Sequence, residues 1–205
     1  MDEAVARVLE EYEARAKRES GQLASMSDEE VTRRRDEMLL PVGRAAGTLI
    51  NLLVREAEAR RILEVGSSYG YSTTWLAEAA RAIDGKVVSL ELQRPKTEYA
   101  RQQLARAGLE PYVEFKVGDA LASLAALTGP FDFVLIDLWK DLYVPVFELL
   151  HPKLAQGAIV VADNMLQPAS ARAHAKAYRQ RVLAAADMTS VLLEVGNGLE
   201  VSRFR

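Results

Sequence analysis

The chain has 205 residues, with 26 Lys and Arg against 29 Asp and Glu, two His, no Cys and 49% hydrophobic residues. That length suits one domain whose core needs no covalent staples, and the missing cysteines exclude disulfides and thiolate metal sites, leaving oxygen and two imidazoles for any metal. A formal charge of −3 speaks against bulk attraction to nucleic acid or an anionic membrane, and the longest uncharged stretch, Val65 to Ala77, is too short and too rich in Ser, Thr and Gly to span a bilayer.

The N-terminal run MDEAVARVLEEYEARAKRES mixes charges of both signs and holds no apolar h-region, so it does not read as a signal peptide and a cytoplasmic location is expected. Val5, Val8, Leu9 and Tyr12 recur at helical spacing and predict a first helix with a narrow apolar stripe. Ser27-Asp28-Glu29-Glu30 reads as a capping box opening a short helix to about Glu37, which carries Arg33-Arg34-Arg35. That basic triplet reads either as a solvated helix face or as a phosphate contact. From about Arg44 to Glu58 the spacing predicts a further helix with Leu49, Leu52, Leu53 and Ala57 facing inward.

From Arg61 the pattern changes. Short β-branched runs (RILEV, KVVSLEL, YVEFKV, FDFVLID and GAIVVAD) alternate with helical stretches at Thr73–Ile83, Lys96–Ala107, Ala120–Leu127 and Tyr143–Leu150. This alternation is the signature of right-handed βαβ crossovers, and near-continuous hydrophobicity in FVLI and AIVVA predicts strands covered on both faces. An Ala/Arg-rich helix follows Pro168 to about Ala186. Two last strands, Thr189–Val195 and Leu199–Phe204, flank Gly196-Asn197-Gly198, which is hairpin chemistry. The expected fold is α/β: a doubly wound, mostly parallel seven-stranded sheet with an antiparallel C-terminal hairpin. It forms one domain, with N-terminal helices over residues 1–58 and the sheet core over 61–205.

In such a sheet, ligands sit beyond the carboxyl ends of the strands, near the point where strand order reverses. The first strand ends Glu64-Val65-Gly66-Ser67-Ser68-Tyr69-Gly70-Tyr71-Ser72, where glycines admit close backbone approach and a helix N-terminus offers free N–H groups. The spacing is Gly-x-x-x-Gly, not the Gly-x-Gly-x-x-Gly that cradles a dinucleotide pyrophosphate, and Glu64 would repel a pyrophosphate while suiting a ligand with an ammonium group. The second strand ends near Glu91, where an acid can accept both hydroxyls of a ribose. The third ends Gly118-Asp119-Ala120, a small pocket with an acceptor suited to an adenine edge. Taken singly, Glu91 reads as a solvated strand end and Asp119 as a helix N-cap. Together these features favour S-adenosylmethionine over NAD.

The fourth strand ends at Asp137 and the fifth at Asp163-Asn164, 26 residues later, so these ends are expected to be neighbours. Two carboxylates and an amide oxygen form a hard-oxygen set for Mg²⁺ or a similar ion, provided that the chain bends at Asn164. An Asp-Asn pair at a strand end also reads as plain turn chemistry. Lys140, close to Asp137, reads as a surface ammonium or as a general base, and Trp139 as core or as a substrate wall. His151 and His174 fall on predicted helices away from these ends and are assigned no role.

The segments ILEVGSSYGYSTTWLA, SLELQRPKTEYARQQLARAG, GDAL and FDFVLIDLWKDLYVPVFELLHPKLAQGAIVVADNML resemble, in order and spacing, the cation-dependent class I O-methyltransferases of the catechol and caffeoyl-CoA type. The tail VGNGLEVSRF is similar to that family's closing hairpin, in which a reversed seventh strand lies inside the sixth. The resemblance implies that Glu64 meets the methionine ammonium or the turn region, that Gly66, Ser67 and Ser72 line the methionyl part, and that Glu91 holds the ribose. It also implies that Asp119 and Ala120 flank the adenine and that Val42 closes over the cofactor. Asp137, Asp163 and Asn164 then correspond to ligands of Mg²⁺ (or Mn²⁺ or Ca²⁺), and Lys140 to the general base. The implied reaction is methyl transfer to a small vicinal dihydroxy aromatic by a homodimer, which would offer the Val5–Tyr12 stripe a partner.

Two departures narrow the acceptor. Animal catechol enzymes carry a carboxylate on the penultimate strand, where this chain has Ser190-Val191-Leu192-Leu193 with Glu194 the nearest acid. No coenzyme-A clamp is visible either. The alternatives are a tRNA-modifying methyltransferase of the same family and a non-catalytic protein that binds an adenosyl ligand. Nucleic acid and membrane are not expected as partners.

Overall fold

The computed structural model describes every residue except 24, 25, 27–29, 31–33, 35 and 36. Ser27 to Glu29 of the capping box, most of the helix expected up to Glu37, and Arg33 and Arg35 of the basic run therefore lie outside the described residues. The elements that can be described begin with the helices α1 (Glu3–Leu23) and α2 (Arg44–Glu56). Then β1 (Arg61–Val65), α3 (Tyr71–Ala82), β2 (Lys86–Glu91), α4 (Arg94–Arg106), β3 (Val113–Val117) and α5 (Ala120–Ala126) follow in strict alternation. The chain continues through β4 (Phe131–Ile136), α6 (Tyr143–Leu150), β5 (Leu154–Ala162) and α7 (Arg172–Leu183), and closes with β6 (Met188–Leu193) and β7 (Leu199–Phe204).

The seven strands form one sheet in the order β3-β2-β1-β4-β5-β7-β6. The first five are parallel, and β7 runs antiparallel between β5 and β6. Both faces are covered, as near-continuous apolar runs require, because successive side chains alternate sides. Ile62, Phe133, Leu135 and Val161 pack under α1 to α4. Leu63, Val134, Ile136 and Val160 pack on the other face, with α6 and α7. Strand order reverses between β1 and β4, which places the topological switch point between the Val65 and Ile136 ends.

Three expectations are corrected. Val5, Val8, Leu9 and Tyr12 are all buried within this chain, where α1 lies on α3 and α4, so the apolar stripe needs no second subunit to cover it. In α2 the inward face is Ala46, Gly47, Ile50, Asn51 and Val54, while Leu52 is exposed and Leu49 and Leu53 are half-buried. The polar Asn51 can face inward because its amide donates to the Trp75 carbonyl at 2.9 Å and to Glu78 at 2.6 Å. Finally, β5 starts at Leu154, ahead of the GAIVVAD run, and a register shift between Phe131 and Phe133 absorbs the extra length. No described helix is long and apolar enough to cross a membrane.

Candidate active site

A cleft of about 1120 Å³ opens at the carboxyl ends of the parallel strands. Its walls include Gly66, Glu91, Asp119, Ala120, Asp137 and Asn164, drawn from all five parallel strand ends. Backbone pairing continues past the strands and fixes the tips against one another: Gly66 N–H donates to Leu90 O at 3.0 Å, Asp137 N–H to Val65 O at 2.9 Å and Asp163 N–H to Ile136 O at 3.1 Å. Gly66 has φ 97°, and a Cβ there would lie 2.2 Å from the Asp137 carbonyl oxygen. Only glycine lets the β1 loop press so closely on the β4 loop.

Around the β1 and β2 ends, carboxylates are held by the chain itself. Glu64 is fully buried and does not line the cleft; it accepts hydroxyl hydrogen bonds from Ser72, Thr73 and Ser89, each at 2.6 Å. Of the two places expected for Glu64, the ammonium or the turn region, these bonds put it at the turn, where Ser72, expected to line the methionyl part, is one of its donors. A glutamate on an inward-facing strand position finds donors more readily on the adjoining helix and strand than in the cleft. Burial outweighs the three hydroxyls and pushes the Glu64 carboxyl up to about 7. Ser67 and Val42 are likewise buried and off the cleft wall. Where Val42 was expected to close over the cleft, the wall is formed instead by Met38 to Pro41. Tyr69 and Glu19 hold that segment: the Tyr69 hydroxyl donates to Glu37 O at 2.8 Å, and Glu19 accepts the Leu39 N–H at 2.5 Å.

Glu91 stands on the cleft with one carboxylate oxygen accepting the Ser68 N–H at 2.8 Å and the other the Gln93 N–H at 2.9 Å. These bonds orient the carboxylate and leave lone pairs on both oxygens. Asp119 accepts the Ala122 N–H at 2.8 Å, so it is the N-cap of α5 as well as a cleft residue.

At the β4 and β5 ends the chemistry differs. Asp163 is buried, and its Oδ1 has no hydrogen-bond partner among the described residues. Burial and the charge of Asp137 raise its pKa, and burial likewise raises that of Asp137 despite the nearby Lys140. Asn164 has φ 54°, the left-handed bend that two consecutive residues need in order to face one point. A buried carboxylate oxygen with no donor among the described residues, beside a second carboxylate and an amide, fits a hard divalent cation, because a cation offsets desolvation that the described residues leave uncompensated. Among the described residues no cluster of three or more His, Cys, Asp or Glu side chains could hold a metal, and the set here has two such carboxylates with the Asn164 amide as its third oxygen.

Lys140 Nζ lies 3.6 Å from Asp137 Oδ1 and donates to Leu138 O at 3.1 Å and to the Tyr143 hydroxyl at 2.5 Å. Trp139 is exposed on the rim, a wall residue and not core. His151 is remote, bonded to Asp187 at 3.0 Å and stacked on Phe147. His174 is a correction: the turn through Pro168 swings α7 back over the strand ends and puts this histidine on the cleft wall with Gln167 and Ser170. Gln93, Lys96 and Asn197 also line the cleft and were not singled out from the sequence. Asn197 could have been, since the hairpin turn carrying it returns to the β5 end, where its carbonyl accepts the Leu166 N–H at 2.9 Å.

A family model described as O-methyltransferase matches residues 13–202. The catechol O-methyltransferase of Mycobacterium tuberculosis is 40% identical over 129 residues, covering 62% of this chain and 58% of that protein. Caffeoyl-CoA O-methyltransferase 2 of Populus trichocarpa is 32% identical over 180 residues, covering 77% of this chain and 72% of that one. The alignments with the bacterial catechol enzymes thus span less than two thirds of those proteins. Among solved structures, the O-methyltransferase TomG of Streptomyces achromogenes, involved in tomaymycin synthesis and in complex with SAM, superposes with a TM-score of 0.76 at 30% identity, covering 100% of this chain and 90% of that one.

Proposed function

The chain belongs to the O-methyltransferase family, and on that premise we propose that it transfers the methyl group of S-adenosylmethionine to one oxygen of a small vicinal dihydroxy aromatic. The proposed cation is Mg²⁺, or Mn²⁺ or Ca²⁺, with Asp137, Asp163 and Asn164 as the residues that would hold it. The observation that carries this reading is the buried Asp163 Oδ1, unpartnered among the described residues, at a strand tip bonded to the one that bears Asp137 and Lys140. The SAM complex of the Streptomyces relative supports the choice of donor.

When bound, the donor supplies an electrophilic methyl group and the cation lowers the pKa of an adjacent hydroxyl. Glu91, already oriented by two backbone N–H groups, has lone pairs to accept a ribose diol. Gly118 and Ala120 leave room for a flat base beside Asp119. Gly66 carries no side chain to keep the methionyl part from the β4 loop. Lys140, once its Nζ has given up a proton and is the neutral amine, takes the hydroxyl proton there, and its bonds to Leu138 and Tyr143 keep that nitrogen near Asp137. Trp139 provides an exposed aromatic face at the rim for a planar acceptor. Positioning donor and acceptor in one cleft accounts for much of the rate. Glu194 is not on the cleft wall, which disfavours acceptors that need a second carboxylate there.

Turnover should be screened over catechols, flavonoids and hydroxycinnamates with S-adenosylmethionine. Activity on at least one catechol is expected, lost in excess chelator and restored by Mg²⁺. Full turnover by protein shown to be metal-free would overturn the cation-dependent reading, and absence of calorimetric binding of S-adenosylmethionine would overturn the choice of donor.

A further inference from the structure

We infer that Tyr143 is a positioning residue of this site, its hydroxyl setting where the Lys140 ammonium stands relative to Asp137; the inference rests on the function proposed above. Tyr143 opens α6 and is fully buried, with its ring edge-on to Tyr178 at 5.4 Å. Its phenol oxygen is 2.5 Å from Lys140 Nζ and 3.0 Å from both Ile136 O and Asp163 O. One phenol proton serves two carbonyls, while the oxygen's lone pairs accept from Lys140. The two carbonyls belong to the last residue of β4 and to Asp163 itself, so a single oxygen touches both strand tips and the base.

Packing alone would be satisfied by phenylalanine. The hydroxyl adds a link from the tips of a rigid sheet to the end of a side chain with four rotatable bonds. Lys140 and Asp137 carry opposite charges, yet their nearest atoms stand 3.6 Å apart, beyond hydrogen-bond contact. The phenol and the Leu138 carbonyl hold the ammonium at that separation. Without the phenol, Lys140 has one fixed partner fewer and can move closer to Asp137, where it would compete with the cation for that carboxylate and leave the position from which it reaches the acceptor.

The test is Tyr143→Phe in the full chain, assayed by transfer of a radiolabelled methyl group. A fall in kcat of about tenfold to a hundredfold is expected, with KM for S-adenosylmethionine within about threefold. In the Lys140→Met background the same substitution is expected to change kcat by less than about twofold, because the group it positions is gone. Unchanged kcat in Tyr143→Phe overturns the inference, and so does an equal fold-loss in the Lys140→Met background, which would assign the hydroxyl a role independent of Lys140. If Tyr143→Phe does not fold, Lys140→Arg is assayed beside Tyr143: a bulkier cation that cannot fit the same phenol contact is expected to lose kcat at held KM, and full kcat in Lys140→Arg overturns the inference. Failure of the underlying reading is distinguished beforehand, as absence of methyl transfer by the unaltered protein.

Discussion

The two ends of the cleft treat buried charge in opposite ways. At the β1 and β2 tips, all four oxygens of Glu64 and Glu91 accept hydrogen bonds from hydroxyls or backbone N–H groups of the chain. At the β4 and β5 tips, Asp163 is as deeply buried as Glu64, but one of its oxygens has no donor among the described residues, and Asp137 adds a second negative charge. The first arrangement orients a loop and offsets part of the cost of burying its carboxylates. The second leaves a desolvation cost that Lys140, 3.6 Å from Asp137, does not offset, and such uncompensated burial is common at reacting centres. On the proposed function, donor binding and chemistry are expected to be separable by mutation.

The sharpest way to break the comparison is Asp163→Ala. Turnover is expected to fall by more than about a hundredfold, above the range typical of residues that only support a metal ligand, while calorimetry should find donor affinity within about threefold of the original. A parallel collapse of donor affinity would show that the two ends are one site. Next in size is Glu91→Ala, which removes an oriented, charged acceptor worth about 1.5–3 kcal/mol. Donor affinity should drop about tenfold to a hundredfold, with kcat at saturating donor nearly unchanged.

The smallest expected effect on turnover is that of Glu64→Gln, whose signature lies in the pH dependence of stability. The folded Glu64 carboxyl titrates at about 7 against an ordinary value of 4.5. The protonated form is therefore favoured by the fold, and its contribution is fully present below the unfolded value and lost as pH rises through 7. The linkage amounts to about 3 kcal/mol at most. Thermal melts between pH 5 and 8 should show the original chain losing stability relative to Glu64→Gln by a few degrees, with kcat preserved. Parallel melting curves across that range would mean that the three hydroxyls keep the carboxylate ionised.

Much of the architecture was legible in the sequence because its signals are local. RILEV, FDFVLID and GAIVVAD are strands by composition, their spacing demands crossovers, and Gly196-Asn197-Gly198 turns the last hairpin back. The neighbouring ends of β4 and β5, the bend at Asn164 and the place of Glu91 on the cleft follow from the same logic. The misreadings share a physical cause. Apolar spacing says that Val5 to Tyr12 must be covered, not by what, and the covering surface is this chain's own α3 and α4. For Glu64 the sequence left the ligand ammonium and the turn region both open, because its hydroxyl partners sit on a helix and a strand whose approach no local signal reports. His174 was passed over because the turn through Pro168 decides where α7 points.

Side-chain type and strand period were thus enough to determine a doubly wound sheet and to say which residues stand at its carboxyl edge, since both depend on neighbours a few positions away. Whether a carboxylate at that edge is already held by the chain or still lacks a donor was decided only by tertiary structure. Hydrogen bonds reach a few ångströms and connect residues far apart in sequence, so the difference between Glu64 and Asp163 exists only once the sheet and its covering helices are assembled.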